Sequence, residues 1–166
     1  MTARLFGLTL LLLSAVPSAI GATPEKNDDL WLVLRSQEDN RPVIVSVRQT
    51  LPSAETRKHY VTATTLEWHY PVKGKGMPSD ELLRNMYFFE EQLDQALVQK
   101  RLAVLAVTRT GNGLRRWIYY LPEGGPAITS LNDLVAQHRG TIKFVSAAHE
   151  SEWQSLSEIL VSVKRK

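Results

Sequence analysis

The chain has 166 residues, 43% apolar and 22% charged, with 9 Gly and 8 Pro, a composition that suits one packed domain and excludes a disordered or collagen-like chain. Twenty Lys and Arg against 17 Asp and Glu leave a formal charge of +3, too small a surplus for a polybasic surface. The absence of cysteine excludes a disulfide framework, a thiol nucleophile, a CxxC redox pair and a cysteine zinc site.

Residues 1–22 have the pattern of a signal peptide. Arg4 supplies a positive start, Leu5 to Val16 form an apolar stretch, and small residues lead to a cleavage site after Gly21 or Ala22. Pro17 interrupts the stretch before it reaches the roughly 20 apolar residues of a spanning helix, so no stable membrane anchor is expected after cleavage. That reading places the mature protein in the periplasm or outside the cell. Residues 23–29 read as a flexible polar lead, and 30–166 as a single domain.

The domain opens with two aliphatic runs, Trp31 to Leu34 and Val43 to Arg48, which read as a hairpin around the polar cluster Gln37 to Pro42. Leu51 to Lys58 reads as a polar connection. Tyr60 to Tyr70 is a longer strand with Leu66, Trp68 and Tyr70 on one face and Glu67 and His69 on the other. Ser79 caps a helix that begins with Asp80 and Glu81 and runs to about Gln99. Leu82, Met86, Phe89, Leu93 and Leu97 form its core stripe, and Phe88 lies well off it. Leu102 to Val107 and Leu114 to Leu121 are strands joined by a turn at Thr110 to Gly113. A short helix capped by Ser130 ends at Gly140, a strand covers Thr141 to Ala147, and a last helix carries Trp153, Leu156, Leu160 and Val163 at 3-4-3 spacing. From Tyr60 onward the order is strand, helix, strand, strand, helix, strand. The expected fold is therefore α+β, a ferredoxin-like (split βαβ), antiparallel-dominated sheet with an added N-terminal hairpin and C-terminal helix.

The run Gly111-Asn-Gly-Leu-Arg-Arg-Trp-Ile-Tyr-Tyr120, following the strand Val104 to Arg109, resembles the signature of the domain of unknown function 695 family. Arg41-Pro-Val-Ile-Val-Ser-Val-Arg48, Trp68-His-Tyr-Pro71, Met77-Pro-Ser-Asp-Glu81 and Glu150-Ser-Glu-Trp153 are similar to other parts of that family's pattern. Before the late Trp the family usually has Asp-Pro, where this chain has His149-Glu-Ser-Glu152. The resemblance covers about residues 40 to 157 and implies mostly bacterial relatives. It implies no established activity.

Catalytic patterns are scarce. His59, His69, His138 and His149 lack metal-ligand spacing, so no metal and no cofactor are expected. No serine sits in a GxSxG or SxxK pattern, and the Gly111-Asn-Gly113 turn is not a phosphate loop. Glu90 and Glu91 lie 100° apart around their helix, so they do not share a cleft; Glu90 flanks the apolar stripe. The strand Leu114 to Leu121 is the exception. Alternation puts Arg115, Trp117 and Tyr119 on one face and Arg116, Ile118 and Tyr120 on the other.

Arg115, Trp117 and Tyr119, with Trp68 and Tyr70, form the expected ligand or partner face, the less buried one, while Leu114 and Ile118 turn toward the Leu-rich helix. Arg116, Glu90, Glu67 and His69 are the second-choice polar residues; Glu67 and His69 are also read as a local charge pair, and Arg116 as reaching solvent or an acid such as Glu90. The function expected is a non-enzymatic periplasmic domain that binds a small ligand or an envelope protein through this Arg/aromatic face. The alternative is an envelope-associated hydrolase with an arginine anion clamp and a Glu or His acid-base. Nucleic acid is not an expected partner, and a homodimer is open.

Overall fold

Period-two alternation and turn chemistry give the sheet its strands. The computed structural model describes residues 30–138 and 140–164. The signal segment expected at 1–22 and the lead at 23–29 lie outside the described residues. Strands β1 (Trp31–Glu38) and β2 (Arg41–Arg48) form the expected hairpin. Its turn residues Asp39 and Asn40 adopt φ of 51° and 61°, the left-handed region that short polar side chains tolerate best after glycine. β3 (Thr62–His69), β4 (Val104–Gly111), β5 (Leu114–Leu121) and β6 (Ile142–His149) complete a six-stranded sheet of order β1-β2-β4-β5-β3-β6, antiparallel throughout. The β4–β5 turn is glycine-bound for a steric reason: at Gly111, with φ of 143°, an added Cβ would lie 2.4 Å from the Pro42 carbonyl oxygen. In β4, Leu105 faces Tyr119 and Val107 faces Ile118, so Ala106 is an extra residue, a bulge.

Among the described residues four α-helices accompany the sheet. α1 (Ala54–His59) forms where a plain polar connection was expected; Ser53 nucleates it by accepting a hydrogen bond from the Thr56 amide. α2 (Asp80–Leu93) begins at the expected Ser79 cap and continues as a π-helical turn, Asp94–Val98. α3 (Pro126–Gln137) starts four residues before the expected Ser130. Gly125, at φ of 85°, lets the chain turn into it, and Pro126 needs no amide partner in the first turn. α4 (Gln154–Lys164) closes the described chain.

Each face of the sheet carries its own core. Met86, Phe89, Leu93 and Leu97 are fully buried, and Leu82 packs beside them, as the helical stripe predicts; they meet Leu66, Trp68, Trp117, Tyr119 and Leu131 in one cluster. Phe88, off the stripe, is left 60% exposed. On the opposite face Val47, Ala63, Val107 and Tyr120 are covered by Trp153, Leu156 and Leu160. The Trp153 indole stacks on Tyr120, with ring centroids 3.8 Å apart and an interplanar angle of 3°, and its Nε1 donates to the Tyr60 carbonyl at 2.7 Å.

This second core reverses the expected exposure of β5. Arg115, Trp117 and Tyr119 form the face buried under α2 and α3, with Trp117 and Tyr119 wholly inaccessible. Ile118 turns toward α4 and not toward the Leu-rich helix. The cause is α4: its apolar stripe also has to be buried, and it takes the face that would otherwise be open.

Candidate functional site

Helices α2 and α3 cover β5 and β3 but leave the same face of β2 and β4 overhanging, and the step between them is a cleft of about 520 Å³. Its floor follows from alternation: Ile44, Ser46 and Arg48 from β2, Thr108 and Thr110 from β4, Arg115 from β5. Its wall is a second stripe of α2 and the π-turn beside the core stripe, in which Leu83, Tyr87, Glu90, Asp94 and Val98 recur at 4-3-4-4 spacing. Trp31 of β1, 37% exposed, and Tyr87, 54% exposed, supply aromatic surface at its edge.

Arg115 organises the floor. It is 5% exposed, ion-paired with Glu90, and donates from Nη1 to Thr110 Oγ1 at 2.8 Å. Its guanidinium carbon lies 5.1 Å from the Tyr87 ring centroid and 5.3 Å from that of Trp117, close enough for cation–π attraction. Its Nε is buried and has no hydrogen-bond partner among the described residues. Arg48 donates to the Leu105 carbonyl at 2.6 Å and lies over the Trp31 ring at 5.5 Å. Tyr119 lies buried at the base of a recess that adjoins the cleft and is edged by Glu90, Glu91 and Asp94. Burial, reinforced by the charges of Glu90 and Asp94 and opposed by Arg115, pushes the Tyr119 hydroxyl well above the usual tyrosine range. It stays protonated there.

The opposite face carries a separate polar chain. Glu67, 7% exposed, accepts from Arg116 Nε at 2.8 Å through Oε1, and His69 Nε2 lies 2.8 Å from its Oε2. Burial pushes the Glu67 carboxyl up, but the Arg116 and His69 hydrogen bonds outweigh it and hold the group below its ordinary value. Among the described residues no group of three or more His, Asp or Glu is placed to hold a metal ion, and no helix is long and apolar enough to cross a membrane.

The family model described as a family of unknown function, DUF695, matches residues 29–161, most of the chain. The chain belongs to that family. No curated protein and no solved structure matches it.

The residues that carry the DUF695 resemblance hold this fold together. Arg41 donates to Asn112 Oδ1 at 2.8 Å, tying the first hairpin to the β4–β5 turn. Trp68 and Tyr70 are buried, and the Tyr70 hydroxyl donates to the Gly76 carbonyl at 3.1 Å. Glu150 accepts from the Tyr120 hydroxyl at 2.6 Å, the Ser155 amide at 2.9 Å and the Ser155 hydroxyl at 2.7 Å, so it caps α4.

Of the residues singled out from sequence, the structure brings Arg115 and Glu90 together in the cleft and leaves Tyr119 beside it. Trp117 is wholly buried in the core, and Trp68 and Tyr70 are buried outside the cleft, Tyr70 at the edge of a separate recess beside Pro71 and Pro78. Arg116 pairs with Glu67 instead of Glu90, and Glu67 and His69 do form the local pair. The β2 residues Ile44, Ser46 and Arg48 and the helix residues Tyr87 and Asp94 went unrecognised. The available signal was the mixed chemistry of alternate β2 residues, which an all-aliphatic core strand does not carry.

Proposed function

We propose that this DUF695 member is a non-enzymatic, periplasmic or secreted binding domain whose ligand is a small neutral polyol of mono- or disaccharide size, held in the cleft between α2 and the overhanging β2–β4 surface. The observation that carries this is the balance of the lining: the cations Arg48 and Arg115 stand with the acids Glu90 and Asp94, interleaved with the hydroxyls of Ser46, Thr108 and Thr110. Such a surface has no net preference for an ion, but it offers donors and acceptors at many angles. Trp31 and Tyr87 add ring faces suited to the apolar side of a sugar. The volume of about 520 Å³ lies within the ordinary range for small-ligand sites.

Binding is favoured over hydrolysis, although Arg115 and Glu90 are the pairing a hydrolase would use. Glu90 and Asp94 issue from the same side of one helix with no acid facing them across the cleft, and glycoside hydrolysis needs carboxyls on both sides of the scissile bond. Export remains part of the proposal through the 1–22 segment. So does the ferredoxin-like class: the order β6-β3-β5-β4, antiparallel throughout, supports it.

The test is calorimetric titration of the purified protein with glucose, galactose, maltose and cellobiose against glucuronate and glucosamine. A neutral sugar should bind saturably, and Tyr87→Ala together with Thr108→Val should weaken it at least about tenfold, the loss of a stacking face and one hydrogen bond. Tighter binding of glucuronate, or neutral-sugar binding indifferent to both substitutions, would overturn the assignment.

A further inference from the structure

The α4 side of the sheet contains a second groove, of about 420 Å³, under the C-terminal half of that helix. We propose that it binds an amphiphilic anion, a carboxylate head on an unbranched alkyl tail. The proposal is independent of the cleft on the other face.

The argument starts from strand register. Arg109 on β4 and Arg116 on β5 are direct cross-strand partners, an arrangement in which like charges repel. Each is held from the outside: Arg109 pairs with Glu38 of the first hairpin, and Arg116 with Glu67 of β3. Both arginines line the groove, and no acidic residue lines it. Arg116 uses Nε and Nη2 on Glu67, so its Nη1 donates to none of the described residues. Arg109 is engaged at Nε and Nη2 by Glu38 and at Nη1 by the Gly111 carbonyl, so Arg116 Nη1 is the donor offered to a carboxylate, with the charges of Arg109 and Arg35 beside it in the lining.

Beyond the arginines the groove changes character. Val45, Val107, Ile118, Ile159 and Val163 make it aliphatic, with Val107 3% exposed. A cation is excluded by the guanidinium groups, and a sugar fits poorly because Ser36 and Ser162, the hydroxyls of the lining, stand among aliphatic walls and are too few for a ring of hydroxyls. An inorganic anion would leave the apolar walls unused. A carboxylate with an alkyl tail satisfies both ends, and desolvation of the tail supplies affinity that the partly exposed ion pair alone would not.

The test uses the full chain and decanoate as the probe, with 1-decanol and decyltrimethylammonium as controls of matched tail length. Decanoate should bind saturably at one site per chain, and both controls at least about tenfold more weakly, the contrast expected when a charge-assisted contact is lost. Arg109→Gln should weaken decanoate to a similar degree. Ile159→Trp fills the groove without touching either arginine and should abolish binding while the melting transition is retained. If Arg109→Gln does not fold, Ile159→Trp and the decanol arm decide. Equal binding of all three probes, decanoate binding untouched by Ile159→Trp, or self-association that decanoate does not reverse would each overturn the proposal.

Discussion

Truncating Trp117 to alanine is the most direct probe of which face of β5 is core. The side chain is fully buried under α2, and its ring meets Phe89 edge-on at 5.5 Å. Removing a core aromatic costs about 3–5 kcal/mol, within which an edge-to-face aromatic pair accounts for about 0.5–1.5. One effect runs the other way: Nε1 of Trp117 is buried and has no hydrogen-bond partner among the described residues, so its removal relieves part of a desolvation cost of about 1–3 kcal/mol. The net loss should therefore fall near the low end, about 3 kcal/mol. With a urea m-value of about 1–3 kcal/mol/M, the unfolding midpoint should drop by roughly 1–3 M at unchanged m. Trp117→Phe keeps a ring against Phe89 and discards the orphaned N–H, so it should cost less than half as much. A midpoint within experimental error of wild type for Trp117→Ala, or equal losses for Phe and Ala, would refute the burial argument.

Gly111→Ala should destabilise by more than about 1 kcal/mol in thermal melts, because its φ of 143° and the 2.4 Å approach to the Pro42 carbonyl leave no room for a Cβ. Glu150→Ala should cost about 1 kcal/mol and speed amide exchange along α4 while leaving α2 protected, since it removes the cap at Ser155. Stability should fall in acid. At Glu67, burial raises the carboxyl but the Arg116 and His69 hydrogen bonds prevail; at Glu150, burial is likewise outweighed by hydrogen bonds from Tyr120 and Ser155. Both end below their ordinary 4.5, so the unfolded chain takes up protons first. Their stabilisation is complete above about pH 4.5 and drains away as pH falls through the folded-state values; Glu67→Gln with Glu150→Gln should flatten that acid limb in pH-dependent urea titrations.

Local pattern made most of the sheet legible. The β4–β5 hairpin is signalled by Gly111-Asn-Gly113, the core stripe of α2 by its spacing, and the succession from β3 to β6 by alternation of strand and helix signals. What stayed hidden depended on relations between elements. β5 carries an arginine and large side chains on each face, so its own sequence does not choose between them. The choice lies much later in the chain, in the stripe of Trp153, Leu156 and Leu160, which needs a sheet face of its own. The cleft was hidden for a related reason. It exists because the helices on that face stop short of β2, and no window of sequence records where a neighbouring layer ends. Glu90 was visible as a residue flanking the stripe, but its partner was not: Arg115 lies 25 positions on and meets it only when β5 passes beneath α2.

The bulge at Ala106 works as a phase shifter. A strictly alternating β4 would put Leu105, Val107 and Arg109 on one side; with the extra residue, Leu105 shares the α2 side with Thr108 and Thr110, while Val107 and Arg109 face α4. Deleting Ala106 would restore regular pairing with every neighbour still on its present side, for the loss of one buried methyl and the local bend. Deleting Thr108 instead would invert the rest of the strand, sending the Thr110 hydroxyl under α4 and Arg109 into the cleft floor. The bulge at Ala106 and Val107 is thus the place within β4 where its length can change by one residue without the two sides of the sheet exchanging their chemistry.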